Sequence, residues 1–489
     1  MLMITAKLLA LIPPAWTSLV FLAPPFPGLF GRQALMPGVL FALWTAVAAV
    51  LLAVLPASQL PLALAGSGLA LVLARGRVRS ILINGRRPPG SLAFSTGVRA
   101  LARRDFYQRE FSRHGPIFTT TQFGAPVICV SGLERICELL RSHADQLSPS
   151  PLAFSQSVQG SFLRYMDNTT HAFYGGLFRR AMAGPTAPEV KAQLSERAQR
   201  MLTRLASCYW FTPSEALQQF SREALNLLLF GFTDSDPISQ RYTELSRDFG
   251  RSSLGSIVSR RERQQLHELT SLLADQARRL ATESASGRPV LFRLHQLDAG
   301  MPDQVCLENL VFMHKIASNN VSSLLHWLLY NWGAYTDISR RIQLMPSGQR
   351  DQALDAFIAE SLRLAQSEYL YRRVSTDFDF EGFIFPRDWM IRCCIWESHR
   401  TTQAIECPSD FRLRINHCYD RNNYSPFGMD RHACNGVDIN REICTAFLKC
   451  LAEGFNVELK HPKPFQRQMR HWSHWAPNHS MAVHLSPTS

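Results

Sequence analysis

The sequence predicts a mainly α chain with small β-sheets, preceded by one or more N-terminal transmembrane segments. Three observations carry this expectation. Apolar residues recur at three- and four-residue steps through roughly 187–231, 259–286, 303–332, 347–365 and 434–453, the periodicity of helices with one buried face. Strand-like alternation is limited to a few short runs, the clearest between Arg113 and Ser131. Between Leu8 and Ala74 the only charged residue is Arg32, a composition that suits a bilayer.

Taken from the N-terminus, Pro37 to Pro56 is an uninterrupted apolar run of about 20 residues, long enough to cross a hydrocarbon core. At least one span is expected at about 37–56. Leu8 to Phe30 is broken by Pro13, Pro14, Pro24, Pro25 and Pro27, and Leu60 to Ala74 is short with two glycines; both are left open as further spans or interfacial pieces. Were the first run a cleaved signal peptide, the second would still remain as an anchor. Arg75, Arg77, Arg79, Arg86 and Arg87 crowd the far flank, and basic residues mark the cytoplasmic side of a span. The chain therefore divides into a membrane anchor at 1–74, a basic, proline-containing hinge at 75–91 and a cytosol-facing domain at 92–489. In that reducing compartment its cysteines are expected as thiols.

Within the domain, Arg113 to Ser131 alternates around a glycine turn and passes into an apolar-periodic run from Leu133 to Leu140. Gln304 to Trp332 is long and mostly apolar, a helix of roughly 40 Å at 1.5 Å per residue. Leu354, Phe357, Ile358 and Leu362 form the apolar stripe of another helix, on which Glu360 and Arg363 share a face. The last helical run follows Cys434, with Val437, Ile443, Cys444, Phe447, Leu448 and Leu451 on its buried side.

Cys434 lies in the stretch Ser425-Pro-Phe-Gly-Met-Asp-Arg-His-Ala-Cys-Asn-Gly436, at the mouth of that helix. The macrodipole and free backbone N–H groups there favour an anion, so they are expected to depress the thiol pKa and to supply hydrogen bonds to sulfur. A thiolate held in this way suits an iron ligand. Gly428 and Gly436 lack a Cβ and let backbone turn or approach a flat macrocycle closely.

This segment resembles the cysteine loop of the cytochrome P-450 superfamily, Phe-x-x-Gly-x-Arg-x-Cys-x-Gly. Phe427, Cys434 and Gly436 match; Asp430 replaces the usual glycine and His432 the usual arginine. The resemblance implies haem b with Cys434 as axial ligand of its iron. It places His171, Arg372 and His432 on the propionates, with Phe427 and Gly436 beside the cofactor. His432 could do so fully charged only when protonated. Glu360-Ser-Leu-Arg363, about seventy residues earlier, resembles the family's Glu-x-x-Arg pair bracing the proximal side. Arg372 to Asp377 and Glu381 to Pro386 resemble its β-hairpin. Leu163 to His171 and Leu177 to Met182 resemble the helix over one haem edge, where the basic residue expected four after His171 is Gly175, so that contact is lost or moved to Arg179 or Arg180. The Phe-x-Pro-x-Arg segment reads Phe411-Arg-Leu-Arg-Ile415, leaving Arg414 or Arg412 to substitute for the displaced arginine. Together the matches run from about Phe106 to Leu459.

The centre of the long helix, Ala317-Ser-Asn-Asn-Val-Ser322, falls where the family carries an acid followed by threonine; here they are Asn320 and Val321. Proton delivery would then pass through water held by Asn320 and a hydroxyl of Ser318 or Ser322, or through the substrate. The implied activity is a membrane-anchored monooxygenase that inserts one oxygen atom from dioxygen into a lipophilic small molecule. NADPH electrons would come through a separate NADPH-cytochrome P-450 reductase, since no flavin- or nicotinamide-binding glycine motif is evident. The relaxed motifs resemble members of specialised (secondary) metabolite biosynthesis, and Pro88-Pro-Gly90 resembles the hinge of microsomal members, which implies the endoplasmic reticulum. Two rivals remain: a haem-thiolate isomerase or dehydratase that needs no reductase, and a membrane protein that binds haem or lipid without turnover.

The chain has 52 Lys and Arg against 39 Asp and Glu, a net charge of +13. That excess is spread without an aromatic-interleaved patch, so nucleic acid is excluded; anionic lipid and an acidic reductase explain it more simply. Cys393, Cys394, His399 and Cys407 suggest zinc only superficially, because adjacent cysteines fit tetrahedral chelation poorly.

Overall fold

The structure is a computed structural model that describes residues 86–488, except 123–124, 150–161, 185, 234, 250–259, 283–287, 298–301, 367, 461–465, 468–474 and 478–480, together with the isolated positions Val50, Gln59 and Ala63. The anchor at 1–74, its span at about 37–56 and most of the hinge lie outside the described residues. Among those described, no helix is long and apolar enough to cross a membrane.

In chain order the elements are α1 (Phe94–Ala102), α2 (Phe106–His114), β1 (Ile117–Gln122), β2 (Ala125–Val130), α3 (Leu133–Ser142) and β3 (Leu147–Pro149), followed by a helical stretch of α4 (Asn168–Met182), α5 (Pro188–Ala206), α6 (Ser214–Leu225), α7 (Pro237–Asp248), α8 (Arg260–Thr282), α9 (Val290–Leu297), α10 (Gln304–Ala334), α11 (Thr336–Gln343) and α12 (Ser347–Ala365). Then come β4 (Tyr369–Val374), β5 (Phe378–Phe380), β6 (Phe383–Phe385), β7 (Met390–Cys394), α13 (Ile395–Thr401), α14 (Val437–Gly454), β8 (Phe455–Lys460), β9 (Gln466–Arg467), β10 (Trp475–Ala476) and β11 (Ala482–Pro487). The described residues fall into two compact units, one made of those up to 154 with 369–398, the other of those in 155–368 with 399–489.

The first unit is built on a five-stranded sheet in the order β1-β2-β7-β4-β3, antiparallel except for the parallel β2–β7 pair. Every residue of β1 is buried, so the run reads as sheet interior on both faces. Phe106 and Tyr107 of α2 pack on Phe118, Val127, Cys129, Tyr371 and Met390. Arg392 enters this core with its guanidinium 3.9 Å and 3.8 Å from the ring centres of Tyr107 and Tyr369, a cation held over aromatic faces. One expectation is corrected here. Arg372 to Asp377 does not pair with Glu381 to Pro386; β4 joins β7 and β3, while β5 and β6 form their own hairpin turning at Glu381 and Gly382, both at positive φ.

The second unit is helical and centres on α10. Asp303 caps α10, its Oδ1 accepting from the Cys306 N–H at 2.7 Å, which satisfies an otherwise orphaned donor. Its 31 residues pack against α6, α8, α12 and α14. Leu324, Leu325, Leu328 and Trp332 join Phe357 of α12 and Phe447 of α14 in one core. The helical run expected at 187–231 is two helices: α5 ends at Ala206 and α6 opens after Pro213, whose fixed φ and missing N–H suit a helix start. A π-turn over Asn226–Phe230 then ends at Gly231, φ 70°. The final helix starts at Val437, so Cys434 precedes it.

Candidate active site

The cysteine loop is shaped by its own backbone. Gly428 has φ +83°, a conformation glycine adopts freely, and its N–H donates to the Ser425 carbonyl at 3.3 Å. Asp430 stands where a second glycine was expected, and it makes the next turn itself: Oδ1 accepts from the His432 N–H at 3.0 Å and its carbonyl from the Ala433 N–H at 3.0 Å. Asp side chains close turns in this manner. Cys434 is then fixed by its N–H donating to the Phe427 carbonyl at 2.8 Å, while the Phe427 ring packs against the helical core.

The Gly436 N–H donates to Cys434 Sγ at 3.4 Å, supplying the expected hydrogen bond to sulfur. The expected depression of the thiol pKa is corrected: burial pushes it up, and the Gly436 N–H opposes that only in part. Cys434 is nevertheless accessible to solvent. The residue is thus accessible while neighbouring groups still desolvate its sulfur. Gly436 has an ordinary φ of −93°, and a Cβ there would make only normal contact with Sγ at 3.8 Å; of the two glycines, Gly428 is the one whose backbone demands the residue.

His171 sits in the first turn of α4, which Asp167 caps by accepting from the Thr169 and Thr170 N–H groups at 2.9 Å and 3.0 Å. Its ring centre is 4.0 Å from that of His432, so two residues 261 positions apart meet beside the cysteine loop. Gly175 makes this possible: a Cβ there would lie 3.0 Å from His171 Cε1. The missing basic residue is thus the room for an imidazole, and Arg179 and Arg180 are exposed in the last turn of α4.

Glu360 and Arg363 are both completely buried on α12. Arg363 donates through Nε to Glu360 Oε2 at 2.7 Å and through Nη2 to Oε1 at 2.8 Å, the two-pronged geometry that makes such pairs strong. Its remaining donors reach the carbonyls of His399 at 2.8 Å, Pro408 at 2.5 Å and Asp410 at 3.2 Å. Of the two arginines left open, Arg414 completes the network, its Nη1 donating to Glu360 Oε1 and its Nη2 to the Glu406 carbonyl at 2.7 Å. Arg412 contributes through its backbone, its N–H donating to Glu360 Oε1 at 3.1 Å and its carbonyl accepting from Arg414 Nη1 at 3.3 Å.

Arg372 is buried on β4 of the first unit, where its Nη1 donates to the Tyr371 carbonyl at 2.7 Å. On α10 Asn320 is exposed, Ser322 half-buried and Val321 inside the core. Ser318 is occupied locally: its Oγ donates to the His314 carbonyl at 2.6 Å, and its own carbonyl accepts from Ser221 Oγ at 2.9 Å. Of the two serines, Ser318 is the one committed to backbone contacts. The donor set around Cys434 fits a haem, for it offers an accessible sulfur with a backbone donor and two imidazoles against the same loop.

The family model for cytochrome P-450 matches residues 349–480, from α12 through the cysteine loop. That match and the relatives below support the cytochrome P-450 superfamily for this chain. It is similar to abscisic acid 8'-hydroxylase 4 of Arabidopsis thaliana, 20% identical over 414 residues that cover 77% of this chain and 88% of that protein. It is also similar to abscisic acid 8'-hydroxylase 3 of Oryza sativa subsp. indica, 22% identical over 418 residues covering 76% and 82%. In fold it resembles a retinoic acid-bound cyanobacterial CYP120A1, with a TM-score of 0.66 at 18% identity over 82% of this chain and 99% of that one. This P-450 is a monooxygenase of the oxidoreductase class.

Sequence reasoning assigned no task to His314. It is buried on α10 against the rings of Phe230 and Tyr242, and burial pushes its pKa down to about 3. His399 is likewise pushed to about 3, by burial first and then by the Arg363 charge. An unfolded histidine titrates near 6.5, so below that pH the unfolded chain binds protons that the folded chain refuses. Stability is complete above pH 6.5 and falls by about 1.4 kcal/mol per pH unit for each histidine as pH drops toward 3. Urea midpoints measured between pH 7 and 5 should show this decline. His314→Phe should remove roughly half of it, and an unchanged slope would refute the assignment.

Proposed function

We propose that this P-450 inserts one oxygen atom from dioxygen into a lipophilic small molecule, with Cys434 as the axial ligand of a haem b iron. The observation that carries the reading is the accessible Cys434 thiol with the Gly436 N–H on its sulfur. When bound through that sulfur, haem supplies dioxygen activation with electron density pushed from the thiolate. The chain's own groups do the rest. The Gly436 N–H moderates the sulfur's charge; His171 and His432 hold propionates from the side of the loop; Glu360, Arg363 and Arg414 brace the segment leading to it. A propionate role for Arg372 rests on the family resemblance alone. Asn320 orients water and Ser322 passes protons. Relatives named as hydroxylases support oxygen insertion.

The finer reading keeps the haem-binding domain at 92–489 behind the 1–74 anchor, at the endoplasmic reticulum and facing the cytosol. NADPH electrons arrive through a separate reductase, and the substrate belongs to specialised metabolism. Product formation from a lipophile panel, assayed with and without NADPH and reductase, tests the function. Turnover that ignores both would overturn it in favour of an isomerase or dehydratase. A narrower test bears on the proton path. Val321→Thr restores an alcohol at the position the family usually gives one, and is expected to change the ratio of oxygen consumed to product formed. An unchanged ratio counts against any proton-handling role at that turn of α10.

A further inference from the structure

We propose that His399 is a positioning residue that ties the Glu360–Arg363 network to the cysteine loop and so fixes where Cys434 presents its sulfur. This inference rests on the haem-thiolate reading for its consequence, though not for its geometry. His399 is completely buried and makes two bonds in different directions. Its carbonyl accepts from Arg363 Nη1 at 2.8 Å, and its ring Nε2 accepts from the Ser425 N–H at 2.9 Å. Because a backbone N–H can only donate, Nε2 carries no proton and the ring is the Nδ1–H tautomer. Nδ1 has no hydrogen-bond partner among the described residues, so the ring's polar work is confined to Ser425.

Ser425 is the first residue of the loop, and backbone hydrogen bonds lead from it toward the sulfur. Its carbonyl accepts from Gly428 N–H at 3.3 Å, and the Phe427 carbonyl between them accepts from the Cys434 N–H at 2.8 Å. A shift of Ser425 therefore moves the carbonyl on which the ligand's own backbone hangs. The stack of His399 on Tyr424, 5.8 Å between centres and 30° between planes, holds the ring in the orientation that this contact needs. The arrangement joins a rigid helix to a loop through one imidazole, as support around a ligand must.

Three replacements separate acceptor from bulk. In His399→Gln the side-chain amide reaches the place of Nε2 and can accept from Ser425; in His399→Asn the same amide stops short; His399→Leu fills the space without an acceptor. Each is purified with haem and compared with the parent by far-ultraviolet circular dichroism, by the Soret band of the reduced carbon monoxide complex and by hydrogen exchange of the Ser425 amide. His399→Gln should keep the thiolate-type band and the parent's amide protection. His399→Asn and His399→Leu should shift a substantial fraction of the band to the thiol type at unchanged helix content. Their Ser425 exchange should quicken by about tenfold or more, the scale of an unmade buried hydrogen bond. Should the leucine variant not fold, the glutamine–asparagine comparison decides alone. Asn and Leu variants that match the parent in both readouts, or a Gln variant as damaged as Asn, would overturn the proposal. A parent protein that lacks the thiolate-type band would defeat the haem-thiolate reading instead, and the exchange comparison would still judge the role of His399.

Discussion

Cys434→Ala is expected to abolish the thiolate-type Soret band of the reduced carbon monoxide complex and to bring monooxygenase turnover down to background, while leaving the fold intact. The structure separates these effects because the thiol does little for stability. Cys434 is exposed, and its sulfur accepts one 3.4 Å contact from Gly436. The backbone bond from its N–H to the Phe427 carbonyl survives substitution. A change at such a site alters stability by about 0.5 kcal/mol or less, so the thermal midpoint of the haem-free protein should stay within a degree or two of the parent's. Retention of the pigment's spectrum and of turnover in the alanine variant would remove the basis for the proposed chemistry.

Glu360→Gln and Arg363→Met are each expected to lower unfolding stability by about 3–5 kcal/mol, the range for breaking a fully buried pair. Both side chains have no exposed surface, and Arg363 satisfies three backbone carbonyls besides the carboxylate. Removing it leaves those carbonyls without their donor and Glu360 with only Arg414 and the Arg412 N–H, whereas removing the carboxylate charge leaves Arg363 and Arg414 facing each other. Arg414→Leu should cost less, because Glu360 keeps its two-pronged contact with Arg363 and Arg414 itself is partly exposed. Arg363→Lys should not rescue, for an ammonium cannot reproduce the planar fork. Urea denaturation of the four variants tests this order. An Arg414→Leu variant as unstable as Glu360→Gln would show that the pair on α12 is not self-sufficient.

The helices were legible wherever a single apolar face repeats over many turns: α8, α10 and α12 start and stop within a few residues of the expected runs. The break between α5 and α6 was harder to read, since hydrophobic periodicity continues across it and only Pro213 marks it. Strand partners were less legible still. Arg372 belongs to a strand that pairs with residues near 147–149 and 390–394, and alternation within a run does not encode which distant run lies beside it. The expected anchor at 1–74 falls outside the described residues and rests on composition alone.

At the site, sequence by itself determined what local spacing can hold: a cysteine ahead of a helix, a Glu and Arg one turn apart, a glycine at the positive-φ turn of the loop. The tertiary structure decided which partners complete them. It selected Arg414 over Arg412, set His171 against His432 across 261 positions with Gly175 as the clearance, and gave Asp430 the turn that a glycine would otherwise make. It also reversed the expected direction of the thiol pKa, because a helix N-terminus is a local feature while desolvation is imposed by whatever the rest of the chain packs around the sulfur. Contacts within a few residues follow from covalent geometry and can be read along the chain; burial and long-range pairing are properties of the packed whole.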